Sequence, residues 1–374
     1  GIISNLSGAG TGDTPKQAMF LATMEAYERL ANSIPTKRTI LATEKELKGL
    51  AVPLHDFPQI SEGETKSNLQ QGNSTKKIRW CESYNATNNN VCYIPQVYIN
   101  LFTQFEHEGE NITHPISTGC AIHQNYIDAV INGIYEVIER DGIALFWLLK
   151  RPLKEVTKDS YPEDLNVFAN PFLGRTTLYE ASTIDSVHTF CLRAETRHSK
   201  KIKNVFMFST NISPKKAIHK IKKELISVIY SLVHSLPKQE ELLSRSYDLF
   251  YHVDEGALLM AHESMDHKFS FLEGNGNSQF PAEKIVFQSN MEELQYLLSC
   301  LEEQGHTVYI TDLTTRECRE KNLRAVKVTI PSLQPISFIY SARYLKSNRL
   351  KTFATQMYGY YDENLVNKEP LPFS

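Results

Sequence analysis

The sequence NYIDAVINGIYEVIERDGIALFWLL at residues 125–149 predicts one long helix, and the interpretation of the whole chain starts from it. Its branched apolar residues recur at helical spacing and form one stripe: Ile127, Val130, Ile131, Ile134 and Ile138. A polar stripe that contains no lysine follows i, i+4, i+8, i+11 spacing: Asp128, Asn132, Glu136 and Glu139. Since most other positions are apolar, we expect this helix to be largely buried.

A second acidic pair is predicted near the start of the chain. Residues 7–14, SGAGTGDT, are typical of a glycine-rich turn, and Thr14 and Pro15 suit the cap and first position of a helix over residues 15–32. On that helix Glu25 and Glu28 lie three residues apart on one face, with Arg29 beside them. The three glycines do not match the GxGxxG pattern of dinucleotide-binding proteins.

The two glutamate stripes have two interpretations. Each can be the solvated face of an amphipathic helix, but the solvated helix at residues 215–223 is rich in lysine and these stripes contain none. Buried carboxylates are costly unless they are paired or bind a cation. Carboxylate oxygens suit Mg²⁺, which commonly bridges phosphates, and Arg29 and Arg140 would complement those phosphates.

The remaining pattern predicts a mixed α/β (α+β) fold, because strands and helices interleave without strict alternation. Helices are predicted at residues 214–236 and 291–304. Strands are predicted at residues 79–84, 91–94, 176–180, 189–194, 205–209, 283–287, 307–312 and 325–330. The length of 374 residues allows one large or two ordinary domains. We expect a single large domain over residues 1–374, with a subdivision near residues 150–180 as the alternative.

Composition excludes several classes of protein. The chain has 40 lysine and arginine residues against 43 aspartate and glutamate residues, a net charge of −3, which argues against a nucleic-acid binder. No apolar run reaches the ~20 residues of a membrane span, so no membrane partner is expected. The six cysteines have no CxxC pair or regular spacing, which is typical of a reduced protein and predicts a cytoplasmic location.

Several segments in the same order resemble the YcaO family. Residues 22–29, ATMEAYER, resemble its SxxExxER signature, and residues 117–121, STGCA, followed by residues 136–141, EVIERD, resemble its TGCA and ExxERD block. Residues 309–314 and 326–331 are similar to its late Asp-x-Thr and RVxxPG segments, and the tail PLPF at residues 370–373 to its proline-rich C-terminus. The chain departs from the family pattern at Ala22, Lys327 and Ser374, and residues 224–227 lack an expected glutamine.

The resemblance implies a YcaO-type ATP-binding fold that uses ATP and Mg²⁺. By position, it implies that four glutamates hold magnesium: Glu25, Glu28, Glu136 and Glu139. It implies nucleotide contacts at Asp128, Gln124, Arg29, Arg140 and Lys327. It also places the tail near the active site, where Pro370, Pro372 and the terminal carboxylate of Ser374 are expected to support catalysis.

The implied activity is that of a cyclodehydratase (D-protein) subunit of thiazole/oxazole-modified peptide synthetases. Such an enzyme phosphorylates a backbone amide oxygen of a ribosomally made precursor peptide and converts Cys, Ser or Thr to an azoline, as in bacteriocin and antibiotic biosynthesis. The expected partners are the precursor and an E1-like peptide-recognition protein in a hetero-oligomeric complex; whether a flavin dehydrogenase acts afterwards stays open. The alternatives are thioamide or amidine formation by the same ATP chemistry, and a non-catalytic nucleotide-binding scaffold.

Overall fold

The computed structural model describes residues 7–12, 14–35, 39–161 and 173–373. The helices are α1 (Pro15–Ser33), α2 (Tyr126–Leu148), α3 (Pro214–Ser235), α4 (Gln239–Ser244), α5 (Glu255–Met260), α6 (Asn290–Glu302), α7 (Arg316–Glu320) and α8 (Asn348–Tyr358). The strands are β1 (Thr39–Ala42), β2 (Ile78–Asn85), β3 (Asn90–Pro95), β4 (Cys120–His123), β5 (Lys154–Val156), β6 (Leu173–Glu180), β7 (His188–Thr196), β8 (Asn204–Asn211), β9 (Asn277–Ser278), β10 (Tyr309–Asp312) and β11 (Arg324–Thr329). This mixture of helices and sheets is the fold class that the sequence predicts.

The chain divides into two compact units, and α2 passes from the first into the second after Ile138. The first unit comprises Gly1–Ile138, Phe287–Gln334 and Tyr344–Arg349, and the second comprises the rest of the chain. In neither unit is any described helix long and apolar enough to cross a membrane.

The first unit is built on an antiparallel sheet. Its described strands run in the order β1–β2–β10–β11–β4, and β3 pairs with β2. Helix α1 packs against β4 and β11. The side chain of Thr14 accepts a hydrogen bond from the Gln17 N–H at 3.2 Å and caps α1, as the sequence predicts. The core between helix and sheet contains Ala31, Ile94 and Ile122.

The second unit has its own sheet and core. The strand order is β8–β7–β6–β5–β9 within the residues described, antiparallel except for the β5–β9 pair. The apolar face of α3 packs on β7 and β8, where Ile218, Ile221, Phe190 and Leu192 are almost completely buried. The expected helix at residues 214–236 and the three expected strands before it are therefore confirmed.

Some local predictions are wrong. Residues 283–287 form no strand: Val286 is 81% exposed, and none of the described strands pairs with the segment. The glycines of residues 7–12 make no turn; they lie against α1, as described below. The short strand β4 and helix α8 carry too little periodicity to be predicted.

The acidic segment at residues 106–111 contains a structural ion pair. Glu110 is 1% exposed, and both of its carboxylate oxygens accept hydrogen bonds from the Arg79 guanidinium at 2.7 Å. The backbone N–H groups of Arg79 and Glu106 also donate to it, at 3.0 and 2.9 Å. Burial raises the pKa of Glu110, but the hydrogen bonds from Arg79 and the backbone outweigh it, so the pKa lies below its usual value.

We expect Glu110→Ala to lower the free energy of unfolding by about 3 kcal/mol, because it removes a buried carboxylate that accepts hydrogen bonds from Arg79 and the backbone, and leaves Arg79 paired with the exposed Glu106. Since the folded pKa is depressed, the stability contributed by Glu110 is present above its unfolded pKa and is lost as the pH falls through the folded pKa. Urea unfolding between pH 3 and 7 measures both effects. Glu108→Ala, at a largely exposed neighbouring position, should change stability by less than about 0.5 kcal/mol; an equal loss in both variants would contradict the assignment.

Candidate active site

Three of the four predicted magnesium ligands come together in the first unit. Glu25 and Glu28 lie on α1 and Glu136 lies on α2. The pKa of Glu28 is raised from 4.5 to about 8, first by burial and then by the charges of Glu136 and Glu25. Arg29 and Lys327 oppose this rise. The carboxylates are thus close enough to repel one another, which is an arrangement that a cation would stabilise.

The side chain of Glu25 is held by donors from the chain itself. Its Oε1 accepts a hydrogen bond from the Arg29 guanidinium at 2.6 Å, and its Oε2 accepts one from the backbone N–H of Ala9 at 2.7 Å. Arg29 also donates to the carbonyl of Ser7 at 2.6 Å. Two of the three predicted site residues of α1, Glu25 and Arg29, are therefore hydrogen-bonded to residues 7–9, which run beside the helix.

The glycines of this N-terminal segment allow it to approach α1 closely. A Cβ atom at Gly8 would lie 1.9 Å from the carbonyl oxygen of Ala22, and one at Gly10 would lie 2.3 Å from that of Ala18. No side chain fits at such distances, so glycine is required by packing. This close contact explains why the Ala9 N–H reaches Glu25. The sequence does not reveal that these glycines serve to pack the segment against α1.

Glu136 is oriented by a backbone amide of the loop before β4. The N–H of Gly119 donates to its Oε2 at 3.0 Å. Gly119 has φ of +83°, and a Cβ there would lie 2.2 Å from the carbonyl oxygen of Val328, so only glycine is accommodated. Val328 in turn donates its N–H to the Gly119 carbonyl at 2.7 Å. The side chain of Glu136 is therefore held by a backbone group whose position Gly119 determines.

Lys327 supplies a buried positive charge to the same cluster. It is 3% exposed on β11, and its Nζ donates to the carbonyl of Ile116 at 2.6 Å. Its charge lowers the pKa of Glu28. It also opposes the effect of burial on its cross-strand neighbour Cys120, whose pKa is nevertheless raised to about 12. The thiol therefore stays protonated at neutral pH, which gives it no nucleophilic role.

Glu139 lies one turn after Glu136 on α2, in the part of the helix that belongs to the second unit. It is 5% exposed, and its Oε2 lies 3.0 Å from the Nζ of Lys220 on α3. Arg140, which follows it, is half-buried. The lysine-rich pattern of α3 indicates that Lys220 faces solvent, and it gives no sign of the contact between Lys220 and a predicted metal ligand.

The predicted nucleotide-binding residues at the start of α2 stand apart from the carboxylates. Asp128 pairs with the Nδ1 of His123 at 3.1 Å and accepts a hydrogen bond from Asn290. It lies two helical turns, about 12 Å along the helix, before Glu136. Gln124 is exposed just before the helix. Asp128 and Gln124 would therefore contact one part of a bound nucleotide, and the glutamates would contact another.

The C-terminal tail is packed within the second unit. Pro370 and Pro372 are buried, and the ring of Phe373 contacts that of Phe208 with centroids 5.2 Å apart. Ahead of them, the backbone carbonyl of Glu369 accepts a hydrogen bond from the Trp147 indole at 3.0 Å, and its carboxylate pairs with Lys268. The described tail residues are thus packed against the second unit; Ser374 lies outside the described residues, and the position of the tail near the active site and its catalytic role stay predictions.

The donor set of the first unit suits a hard divalent cation, because it consists of carboxylates crowded enough to raise the pKa of one of them. Within the described part of the chain, no three acidic, histidine or cysteine side chains already stand in metal-binding geometry. Glu25 would have to exchange at least one of its present donors for the ion. The residues fit Mg²⁺ by their chemistry and need a side-chain rearrangement to coordinate it.

The fold and the candidate site thus define a class of protein: an α+β protein in which two helices bring carboxylates together. The family model for "YcaO cyclodehydratase, ATP- and Mg²⁺-binding" matches residues 9–334, and the chain belongs to this family. Members of the family are described as binding ATP and Mg²⁺. A comparison with curated protein sequences found no match.

Solved structures share the fold at low sequence identity. A heterocyclase in complex with substrate and cofactor is 18% identical, with a TM-score of 0.76 over 97% of this chain and 49% of that one. The Escherichia coli microcin synthetase McbBCD complex with pro-MccB17 bound gives 17% identity and 0.68 over 98% and 90%. YcaO from Methanopyrus kandleri bound with AMPPCP and Mg²⁺ gives 17% and 0.63 over 87% and 78%. The chain spans about half the length of the heterocyclase that it matches.

The raised pKa of Glu28 predicts how stability changes with pH. Because the folded pKa exceeds the ordinary value of 4.5, the stabilising contribution of Glu28 is present below that value and is lost as the pH rises through about 8. With divalent ions chelated, Glu28→Gln should raise the free energy of unfolding at pH 8 by about 1 kcal/mol or more, and by less at pH 5.

Thermal and urea unfolding in EDTA at the two pH values test this expectation. Glu62→Gln, at an exposed position of the same unit, provides the matched control and should change nothing. A Glu28→Gln variant that is less stable than the wild type at pH 8 would show that the carboxylate is ionised and favourably paired in the folded chain.

Proposed function

We propose that this protein uses ATP to activate a backbone amide of a ribosomally made precursor peptide and so converts Cys, Ser or Thr residues to azolines. The observation that carries the proposal is the crowding of Glu25, Glu28 and Glu136 in a chain whose family is described as cyclodehydratases that bind ATP and Mg²⁺. Repulsion among carboxylates lowers the stability of the protein alone, and a bound divalent cation with its phosphates would remove this repulsion.

Each residue of the candidate site has a proposed task. Glu25, Glu28, Glu136 and Glu139 would hold Mg²⁺, which supplies positive charge to the phosphates when it is bound. Three positively charged side chains would contact the phosphates directly: Arg29, Arg140 and Lys327. Asp128 and Gln124, two turns or more before Glu136, would bind the nucleoside part. The backbone N–H of Gly119 keeps Glu136 oriented.

The proposed reaction balances as follows. The side-chain sulfur or oxygen of the substrate residue attacks the preceding amide carbon and passes its proton to a base. The amide oxygen takes the γ-phosphoryl group of ATP and then leaves as phosphate, while the amide nitrogen gives up its proton and the C=N bond forms. The net change in the peptide is loss of water, coupled to hydrolysis of ATP to ADP and phosphate.

The partners of the protein also belong to this proposal. Of the structures with the same fold, the heterocyclase was solved with substrate and cofactor, and the microcin synthetase is a complex with pro-MccB17 bound. We therefore propose that an E1-like partner presents the precursor peptide to this chain in a hetero-oligomeric complex.

Glu136→Gln should abolish ATP turnover, because it replaces a charged ligand by a neutral amide that still accepts the Gly119 hydrogen bond. We expect a decrease of about 100-fold or more in precursor-dependent ADP release. Asn132→Ala, at an exposed position one turn earlier on α2, should retain nearly full activity. Turnover near the wild-type rate in Glu136→Gln would refute the metal assignment.

The mass of the product separates the chemical alternatives. With the partner and precursor present, cyclodehydration gives a mass decrease of one water per modified residue. A gain from sulfur in place of oxygen would instead identify thioamide formation. If the precursor keeps its mass and no ATP is consumed, the chain acts as a non-catalytic scaffold and the proposal fails.

The tail prediction can be tested without removing the buried Phe373 ring. Replacing both Pro370 and Pro372 by alanine frees two φ angles and leaves Phe373 able to pack. If the tail supports cyclisation, product formation should fall by about tenfold while the affinity for MgATP changes by less than about twofold. The matched control is Leu365→Ala, a substitution of an exposed residue upstream of the tail. Unchanged product formation in the double variant would show that a stiff tail is dispensable.

A further inference from the structure

Lys220 differs from the other lysines of α3. Lys215, Lys216, Lys222 and Lys223 are exposed, as expected for a solvated helix face. Lys220 is half-buried, and its Nζ lies 3.0 Å from the Oε2 of Glu139. Both residues belong to the second unit.

The carboxylate that Lys220 contacts is one that needs a cation. The side chain of Glu139 is 7% exposed, and an ionised carboxylate in such surroundings is costly unless it is paired. The side chain of Lys220 is 41% exposed, so it approaches Glu139 from the solvent side. An ammonium on a flexible four-carbon stem can leave a carboxylate more easily than a bidentate guanidinium can.

We propose that Lys220 and a divalent cation are alternative partners of Glu139. When the cation binds, the ammonium of Lys220 moves from the carboxylate to a phosphate of the nucleotide that arrives with the metal. The inference rests on the proposed function, because it takes Glu139 as a metal ligand. The inference assigns Lys220 a positioning role. Its ammonium neutralises Glu139 before the metal binds, and metal binding then depends on the nucleotide, because a phosphate of the nucleotide accepts the displaced ammonium.

The first test measures the binding of Mn²⁺ alone, followed by the EPR signal of the free ion. Lys220→Met removes the competing charge and should tighten the binding of Mn²⁺ by about threefold or more. Lys223→Met removes an exposed lysine of the same helix and should leave the affinity unchanged. Unchanged or weaker binding of Mn²⁺ by Lys220→Met would overturn the proposal.

A double-mutant cycle shows whether the effect passes through Glu139. In a Glu139→Gln background, Lys220→Met should no longer change the affinity for Mn²⁺, because the shared carboxylate charge is gone. If the affinity still rises by the same factor, Lys220 acts on the metal from a distance and the exchange is refuted. Lys220→Arg keeps the charge on a group that leaves a carboxylate less easily, so it should bind Mn²⁺ no more tightly than the wild type. If Lys220→Met does not fold, Lys220→Gln replaces it in every assay and should bind Mn²⁺ more tightly than both the wild type and Lys220→Arg.

The second test measures the binding of MgATP by calorimetry. Lys220→Met should weaken it by about fivefold or more, because the phosphate loses a charged donor, although the same variant binds Mn²⁺ more tightly. A merely structural ion pair would lower thermal stability and would not move the two affinities in opposite directions. Tighter or unchanged binding of MgATP would overturn the proposal.

The failure of this inference can be told from the failure of the proposed function. If the wild-type chain binds MgATP and modifies the precursor while Lys220→Met shows wild-type affinities for both ligands, the inference alone fails. If the wild-type chain binds no MgATP, both fail. If MgATP binds and both affinities shift as expected but the precursor is unchanged, the exchange stands and the cyclodehydratase proposal fails.

Discussion

Electrostatic repulsion among carboxylates is the constraint on which the candidate site depends. Helices α1 and α2 bring Glu25, Glu28 and Glu136 together in surroundings that favour a neutral Glu28. The chain moderates this repulsion with its own donors: Arg29 on Glu25, the Gly119 N–H on Glu136 and the nearby charge of Lys327. These contacts lower the cost of placing three carboxylates close together in the folded chain.

Backbone geometry determines where these donors lie. The N-terminal segment contacts α1 through Gly8 and Gly10, at distances that exclude any Cβ, and this approach brings the Ala9 N–H to Glu25. Gly119 adopts a positive φ against β11 and directs its N–H at Glu136. A side chain at any of these glycines would move a site carboxylate without altering a charged residue. The precision of the site therefore comes from backbone contacts as much as from the glutamates themselves.

In the second unit, the buried carboxylate of Glu139 has a different kind of partner from Glu136. Glu139 is met by a lysine side chain, which is mobile, rather than by a backbone amide, which is fixed. The tail is held by several directed contacts, among them the Trp147 hydrogen bond and the Lys268 ion pair at Glu369, and its last described ring lies in an aromatic cluster. Directed hydrogen bonds and aromatic packing therefore fix the described tail, whereas a flexible side chain pairs with Glu139.

The sequence by itself determined the two glutamate helices, the mixed α/β class, most of the longer strands and, through ordered motifs, the family. These features follow from local periodicity and from short segments whose residues act together. It could not determine that Glu110 is a buried partner of Arg79, that Asp128 pairs with Asn290, that Lys220 reaches Glu139, or that residues 283–287 have no strand to pair with. Those outcomes depend on residues tens to more than a hundred positions apart meeting in space, and only the tertiary structure decides such contacts, because local pattern carries no information about which distant segment packs alongside.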